Sequence, residues 1–224
     1  MAMLKLSVIL IVLDFAFFPC LTTSIGQYDY FQMVYQWQPA YCVGRKDPCR
    51  IKPSKIFTIH GLWPSNFSDI PGDKCKGALF NDSLMSQDPT LVSELQRSWP
   101  DVGGGDDMGF WGRQWNKHGT CSEQTFGQIQ YFQRADAIWN KAKMNITMIL
   151  KNNKISAGGG KYNYTHIEGV IKRAIGDTPI IRCIWRKRAQ LLHEVVTCWS
   201  QDGQNLIKCN STQKCSSNFD IEFL

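Results

Sequence analysis

A chain of 224 residues that is 43% hydrophobic and 20% charged carries enough apolar material for a core and too much for a disordered segment. Its 25 Lys and Arg against 19 Asp and Glu give a formal net charge of +6, which favours a polyanionic partner and is silent on fold. Beyond the N-terminal leader no apolar run approaches the roughly 18 residues of a membrane span, and the lack of a Cys-x-x-Cys pair or clustered histidines argues against a thiolate metal centre.

In chain order, Lys5 is followed by the apolar run Leu6 to Phe18, interrupted by Ser7 and Asp14, and then by small and polar residues. This reads as a secretory signal peptide over 1–26, with the mature domain expected over 27–224 from Gln27. From Tyr30 to Gln38 the side chains alternate, with Phe31, Met33, Tyr35 and Trp37 on one side, which predicts a half-buried strand. Ile56 to His60 predicts a second, short strand with Ile56, Thr58 and His60 on one face and Gly61 ending the run. Asn66 to Gln87 is polar and glycine-containing and predicts an exposed loop.

Phe110 to His118 predicts a helix stopped by Gly119. Apolar residues recurring every three or four positions between Thr125 and Leu150 predict an amphipathic helix with room for one break. Thr165-His166-Ile167-Glu168 is a capping-box pattern and predicts a shorter helix ended by Gly176. Arg182 to Trp185 and Gln190 to Trp199 predict a hairpin across the basic tip Arg186-Lys187-Arg188. Strands early and late with helices between them predict an α+β single domain, a central antiparallel sheet packed against several helices.

With Cys20 in the leader, eight cysteines remain: Cys42, Cys49, Cys75, Cys121, Cys183, Cys198, Cys209 and Cys215. An even count in a secreted chain reads as four disulfides, with about 105 pairings open. Asn66, Asn81, Asn145, Asn163 and Asn210 head Asn-x-Ser/Thr sequons and are expected glycosylation sites. The chemistry is expected to concentrate elsewhere, at His60 and in the helix whose one face collects Phe110, Gln114, Lys117 and His118. Cleaving RNA without a metal requires a base for the 2′-hydroxyl, an acid for the leaving 5′-oxygen and a fixed cation for the phosphoryl oxygens. Two histidines and a lysine supply those roles, and aromatic neighbours can stack unpaired bases.

His60-Gly61-Leu62-Trp63-Pro64 and Trp115-Asn116-Lys117-His118-Gly119-Thr120-Cys121 resemble the two active-site segments of the ribonuclease T-two family. The similarity extends through Tyr35 to Cys42, Trp99-Pro100-Asp101-Val102 and Gln190 to Val196, segments that resemble plant S-RNases, particularly those of the rose-family type. The resemblance implies transphosphorylation of single-stranded RNA to a 2′,3′-cyclic phosphate and then a 3′-phosphate. In it His118 is the base, His60 the acid and Lys117 the charge stabiliser. It places Gln36, Asp101, Val102 and Phe110 around the base, and Trp63 and Trp111 along the cleft. It implies the pairings Cys42–Cys49, Cys75–Cys121, Cys183–Cys215 and Cys198–Cys209, and a pollen-side recognition protein of F-box type as partner. The remaining expectations are a secreted monomer that uses no metal or cofactor and engages neither DNA nor a membrane.

Two departures from the family pattern stand out. Arg113-Gln114 replaces the commoner His-Glu, so an amide stands where a proton carrier is usual and Arg113 becomes a candidate phosphate contact. Asp101 stands where an asparagine is common, adding a negative charge beside the base position. The alternatives are an S-like defence or phosphate-scavenging ribonuclease, or a catalytically inactive binding glycoprotein. His166 and His193 read as structural histidines, and Trp37, Trp99, Trp139 and Trp199 as core.

Overall fold

The computed structural model describes residues 28–68, 75, 77–210 and 215–224, and the expected leader and mature start at Gln27 lie outside them. Strand β1 (Tyr30–Trp37) pairs antiparallel with β2 (Phe57–Ser65) on one side and β5 (Ala189–Ser200) on the other. The sheet order is β2-β1-β5-β7-β3, with β3 at Gly160–Tyr162 and β7 at Ile221–Phe223, while β4 (Ile180–Arg186) and β6 (Leu206–Ile207) also pair with β5. The expected α+β single domain is observed, with one correction: β5 and β7 run parallel, so the sheet is mixed.

Helix α1 (Gln38–Gly44) follows β1 directly; α2 (Asp82–Ser86), α3 (Pro89–Ser98), α4 (Asp107–Lys117), α5 (Gln128–Trp139), α6 (Ile146–Asn152) and α7 (Tyr164–Ile175) complete the described helices. The main core gathers Phe31, Met33, Tyr35 and Trp37 from β1 with Trp99, Trp111, Trp115, Tyr131 and Phe132 from the helical side. β1 is not half-buried as its alternation predicts. Its opposite face is covered too, because Val34 packs with Ile180 and Val196 beneath Trp63.

Several boundaries move for identifiable reasons. The long amphipathic helix is two helices, α5 and α6, separated by a 3-10 turn at Ala142–Met144, with Asn145 capping the second by accepting from the Met148 N–H. Helix α7 starts at Tyr164, capped by Asn163, rather than after Thr165: the Asn163 carboxamide accepts from the His166 N–H, and the Thr165 hydroxyl donates to Asn163 instead of capping. Gly176 ends it in the left-handed conformation, as expected. The Asn66–Gln87 stretch contains α2, whose Met85 is buried. All four disulfides, Cys42–Cys49, Cys75–Cys121, Cys183–Cys215 and Cys198–Cys209, match the expected pairing.

Candidate active site

β2 does not end at Gly61. Val34 pairs with Gly61 and Tyr35 with Ile59, so His60 is the unpaired extra residue of a β-bulge in mid-strand. Bulges turn a side chain out of the ladder and strand main-chain groups without ladder partners. Side chains from the core meet the main chain here: Trp99 Nε1 donates to the His60 carbonyl at 2.9 Å and, further along the same edge strand, the Tyr131 hydroxyl to the Leu62 carbonyl at 2.6 Å. A second bulge lies across the sheet, where Arg182 pairs with Glu194 and Cys183 with Leu192, leaving His193 as the extra residue of β5.

The two bulges meet at one carboxylate. His60 Nδ1 lies 2.6 Å from Glu194 Oε1, Arg182 Nη1 lies 3.5 Å from Oε2, and His193 Nδ1 is 4.0 Å from Oε1. Burial would raise the Glu194 carboxyl, but the hydrogen bond from His60 and the charges of His60, His193 and Arg182 outweigh it and hold it below the ordinary glutamate range. An ionised acceptor keeps the proton on His60 Nδ1, so Nε2 is the nitrogen left to exchange a proton with a bound molecule. Burial pushes His193 below the ordinary histidine range; Glu194 opposes that, while the His60 and Arg182 charges add to it.

Helix α4 brings the second histidine. Asp106 caps it by accepting from the Gly109 N–H, so the helix begins three residues before the expected Phe110, and it ends at Lys117 with His118 as its C-cap. Gly119 does not stop it through a left-handed turn. A 3-10 turn continues over Gly119–Ser122, and glycine is required because a Cβ there would overlap the Trp115 ring.

Trp63 joins the two histidines. Its ring stacks on His118 at 5.1 Å and meets His60 edge-on at 5.2 Å, with the Arg182 guanidinium 5.5 Å over the same indole. Its Nε1 donates to Gln114 Oε1 at 3.3 Å, across a Gly61 whose Cβ would overlap both groups. The Gln114 amide, 9% exposed, thus fixes the indole that contacts both imidazoles.

The other expected positions divide. Lys117 and Arg113 are exposed on α4, while Phe110 is half-buried beneath Arg113 at 5.8 Å. Gln36, 8% exposed, sits beside Glu194 and Thr58 in register. Trp111 does not face a cleft: it is 1% exposed and donates to the Trp99 carbonyl within the core. Asp101 and Val102 are buried in the loop before α4, and the two departures from the family pattern pair with each other. Arg113 Nη2 reaches Asp101 Oδ2 at 3.3 Å, while Oδ1 accepts from the Gly104 N–H at 2.9 Å. Sequence reasoning misses Glu194 and Arg182 as members of the site and treats His193 as structural; a His-Glu pair inside the apolar run Leu191 to Val196 is the signal that points to them.

A family model described as the Ribonuclease T2 family matches residues 28–209. Ribonuclease S-1 of Pyrus pyrifolia is 34% identical over 193 residues, covering 84% of this chain and 83% of that protein. Extracellular ribonuclease LE of Solanum lycopersicum is 32% identical over 204 residues, covering 88% and 86% respectively. Among solved structures, ribonuclease MC1 from the seeds of bitter gourd superposes with a TM-score of 0.78 at 33% identity, over 88% of this chain and all of that one.

Proposed function

We propose, from the premise that the chain belongs to the Ribonuclease T2 family and is an endoribonuclease, that His60 and His118 carry out metal-free transphosphorylation of single-stranded RNA. The observation that carries this reading is the single indole of Trp63 in contact with both imidazoles, with Glu194 held ionised behind one of them. His118 accepts the 2′-hydroxyl proton as that oxygen attacks phosphorus. His60 Nε2 donates a proton to the departing 5′-oxygen, and the Glu194 carboxylate steadies the ring from the Nδ1 side. Lys117 stabilises the charge on the phosphoryl oxygens. In the second step the roles of the two histidines exchange, and water opens the cyclic phosphate to a 3′-phosphate. Gln114 cannot carry a proton, and its part is to hold Trp63 in place.

Incubating the protein with single-stranded RNA in EDTA is expected to yield 2′,3′-cyclic phosphate ends. His118→Ala is expected to lower kcat by about 10²- to 10⁴-fold while the circular dichroism spectrum stays unchanged. Normal cleavage by that variant would remove His118 from the mechanism.

The biological reading that fits best is a secreted pistil determinant of self-incompatibility recognised by a pollen-side protein. It is supported by the basic charge, the four disulfides, the signal-like leader and the likeness to a pear S-ribonuclease. The nearly equal likeness to a tomato extracellular ribonuclease favours the S-like alternative. Transcript confined to pistil tissue is the outcome expected of the first, and induction in phosphate-starved leaves that of the second.

A further inference from the structure

The net charge of the chain is not spread evenly. Residues 45–55 and 186–188 together hold eight of the 25 Lys and Arg but only one of the 19 Asp and Glu, a local net charge of +7 against +6 for the whole chain. The structure ties these two segments together. Arg186 Nε donates to the Val43 carbonyl at 2.7 Å and Nη2 to the Arg45 carbonyl at 3.0 Å, so the tip of the β4–β5 hairpin is fastened to the end of α1. Beside that junction lies an open groove of 680 Å³ lined by Lys161, Arg186, Lys187 and Arg188 with Val43 and Leu191. No ion pair among the described residues involves any of these cations, although Glu222 also lines the groove.

The groove and the catalytic histidines share one face of the sheet. Arg182, Ile184 and Arg186 alternate along β4, and all three turn the same way: Arg182 to Glu194, Ile184 against Gly44 and Arg186 to the α1 terminus. A continuous wall runs between them. Glu194 holds His60 and neighbours His193, His193 stacks on Tyr41 at 6.4 Å, and Arg45 donates to the Tyr41 hydroxyl at 2.6 Å. Arg186 in turn holds the Arg45 main chain. The loop after Arg45 also reaches the segment next to Asp101, where Arg50 and Ile51 donate to the Gly103 and Val102 carbonyls.

We infer that this basic groove is a second, non-catalytic RNA-binding surface, which holds the phosphodiester strand outside the scissile step. The inference rests on the ribonuclease reading of the histidines. A strand gripped at Trp63 must continue across the protein, and the Arg45–Arg186 junction offers it unneutralised cations along the face that already carries the site. Cations of this kind hold phosphates irrespective of sequence, so the groove favours long substrates without choosing bases.

The test compares the full-length protein with Lys187→Glu/Arg188→Glu, which leaves the structural Arg186 in place, and with Lys161→Ala. Each is assayed for kcat/KM on a dinucleotide and on a single-stranded 20-mer at several salt concentrations, and for binding of an uncleavable 2′-O-methyl 20-mer. The expected result is a loss of about tenfold or more on the 20-mer and in binding, and no change on the dinucleotide. The salt dependence should shallow by about 0.7 in log–log slope per contact removed. Equal losses on both substrates, or none in binding, overturn the groove. An acidic-peptide surface would show itself by unchanged RNA binding and also overturns it. A parent protein that cleaves neither substrate yet binds the 20-mer through these residues refutes the catalytic reading and keeps the groove.

Discussion

In the proposed mechanism Glu194 is the side chain on which His60 depends, and it contributes by geometry rather than by carrying the reacting proton. Glu194→Gln keeps the shape but removes the anionic acceptor, allowing the His60 ring to change tautomer. The expected outcome is a fall in kcat of about 10- to 100-fold with KM little changed, read from steady-state kinetics on a dinucleotide. Asp101 and Arg113 make a different case. The guanidinium is 62% exposed, so a double-mutant cycle with Asp101→Asn and Arg113→Ala is expected to give a coupling of only about 0.2–1 kcal/mol in stability. Arg113→Ala alone leaves an unopposed carboxylate beside the proposed base position and is expected to weaken RNA cleavage more than the double variant does. Spacing made His60, His118 and Gln114 legible in the sequence because helix and strand periodicities are local. Glu194 is 134 positions from His60, and only the strand order β2-β1-β5 brings them together.

At the level of elements, the geometry of the proposed site is assembled from irregularities. The strand reading of Ile56 to His60 places the histidine on a regular face, whereas the structure sets it at a bulge, its own carbonyl held by Trp99 and that of the nearby Leu62 by Tyr131. Alternation alone does not reveal a bulge, since the extra residue appears only against a partner strand. The helix end is held as firmly: Trp115 donates to the Ala78 carbonyl, Asn116 accepts from the Phe80 N–H, and Cys121 is bonded to Cys75. That disulfide spans 46 positions, for which the loop-entropy argument gives about 4 kcal/mol as an upper figure. Cys75→Ser/Cys121→Ser is therefore expected to lose about 2–4 kcal/mol in urea denaturation and to lose activity on reduction-free assay as the end of α4 loosens.

For the molecule as a whole, acid is the expected weakness. His193 has a depressed value in the fold, so the unfolded chain binds the proton more readily and stability drops as pH falls below the ordinary histidine value of 6.5. Glu194 is also depressed, so its contribution is present above the ordinary value of 4.5 and is lost as pH falls through its folded value. Calorimetry from pH 7.5 to pH 3 is expected to show a falling Tm, with His193→Gln removing the part of the fall that sets in below pH 6.5 and Glu194→Gln the part that sets in below pH 4.5. Both groups occupy or adjoin bulges, and this gives deletion a particular meaning here. Removing His60 from the chain would let Gly61 follow Ile59 in an unbroken ladder, a more regular sheet than the native one. Leu62 would stay opposite Met33 and Trp63 opposite Gln32, so the indole would keep its face while the imidazole beside Glu194 was lost. Order in the sheet and assembly of the site are thus competing outcomes of a single residue's presence.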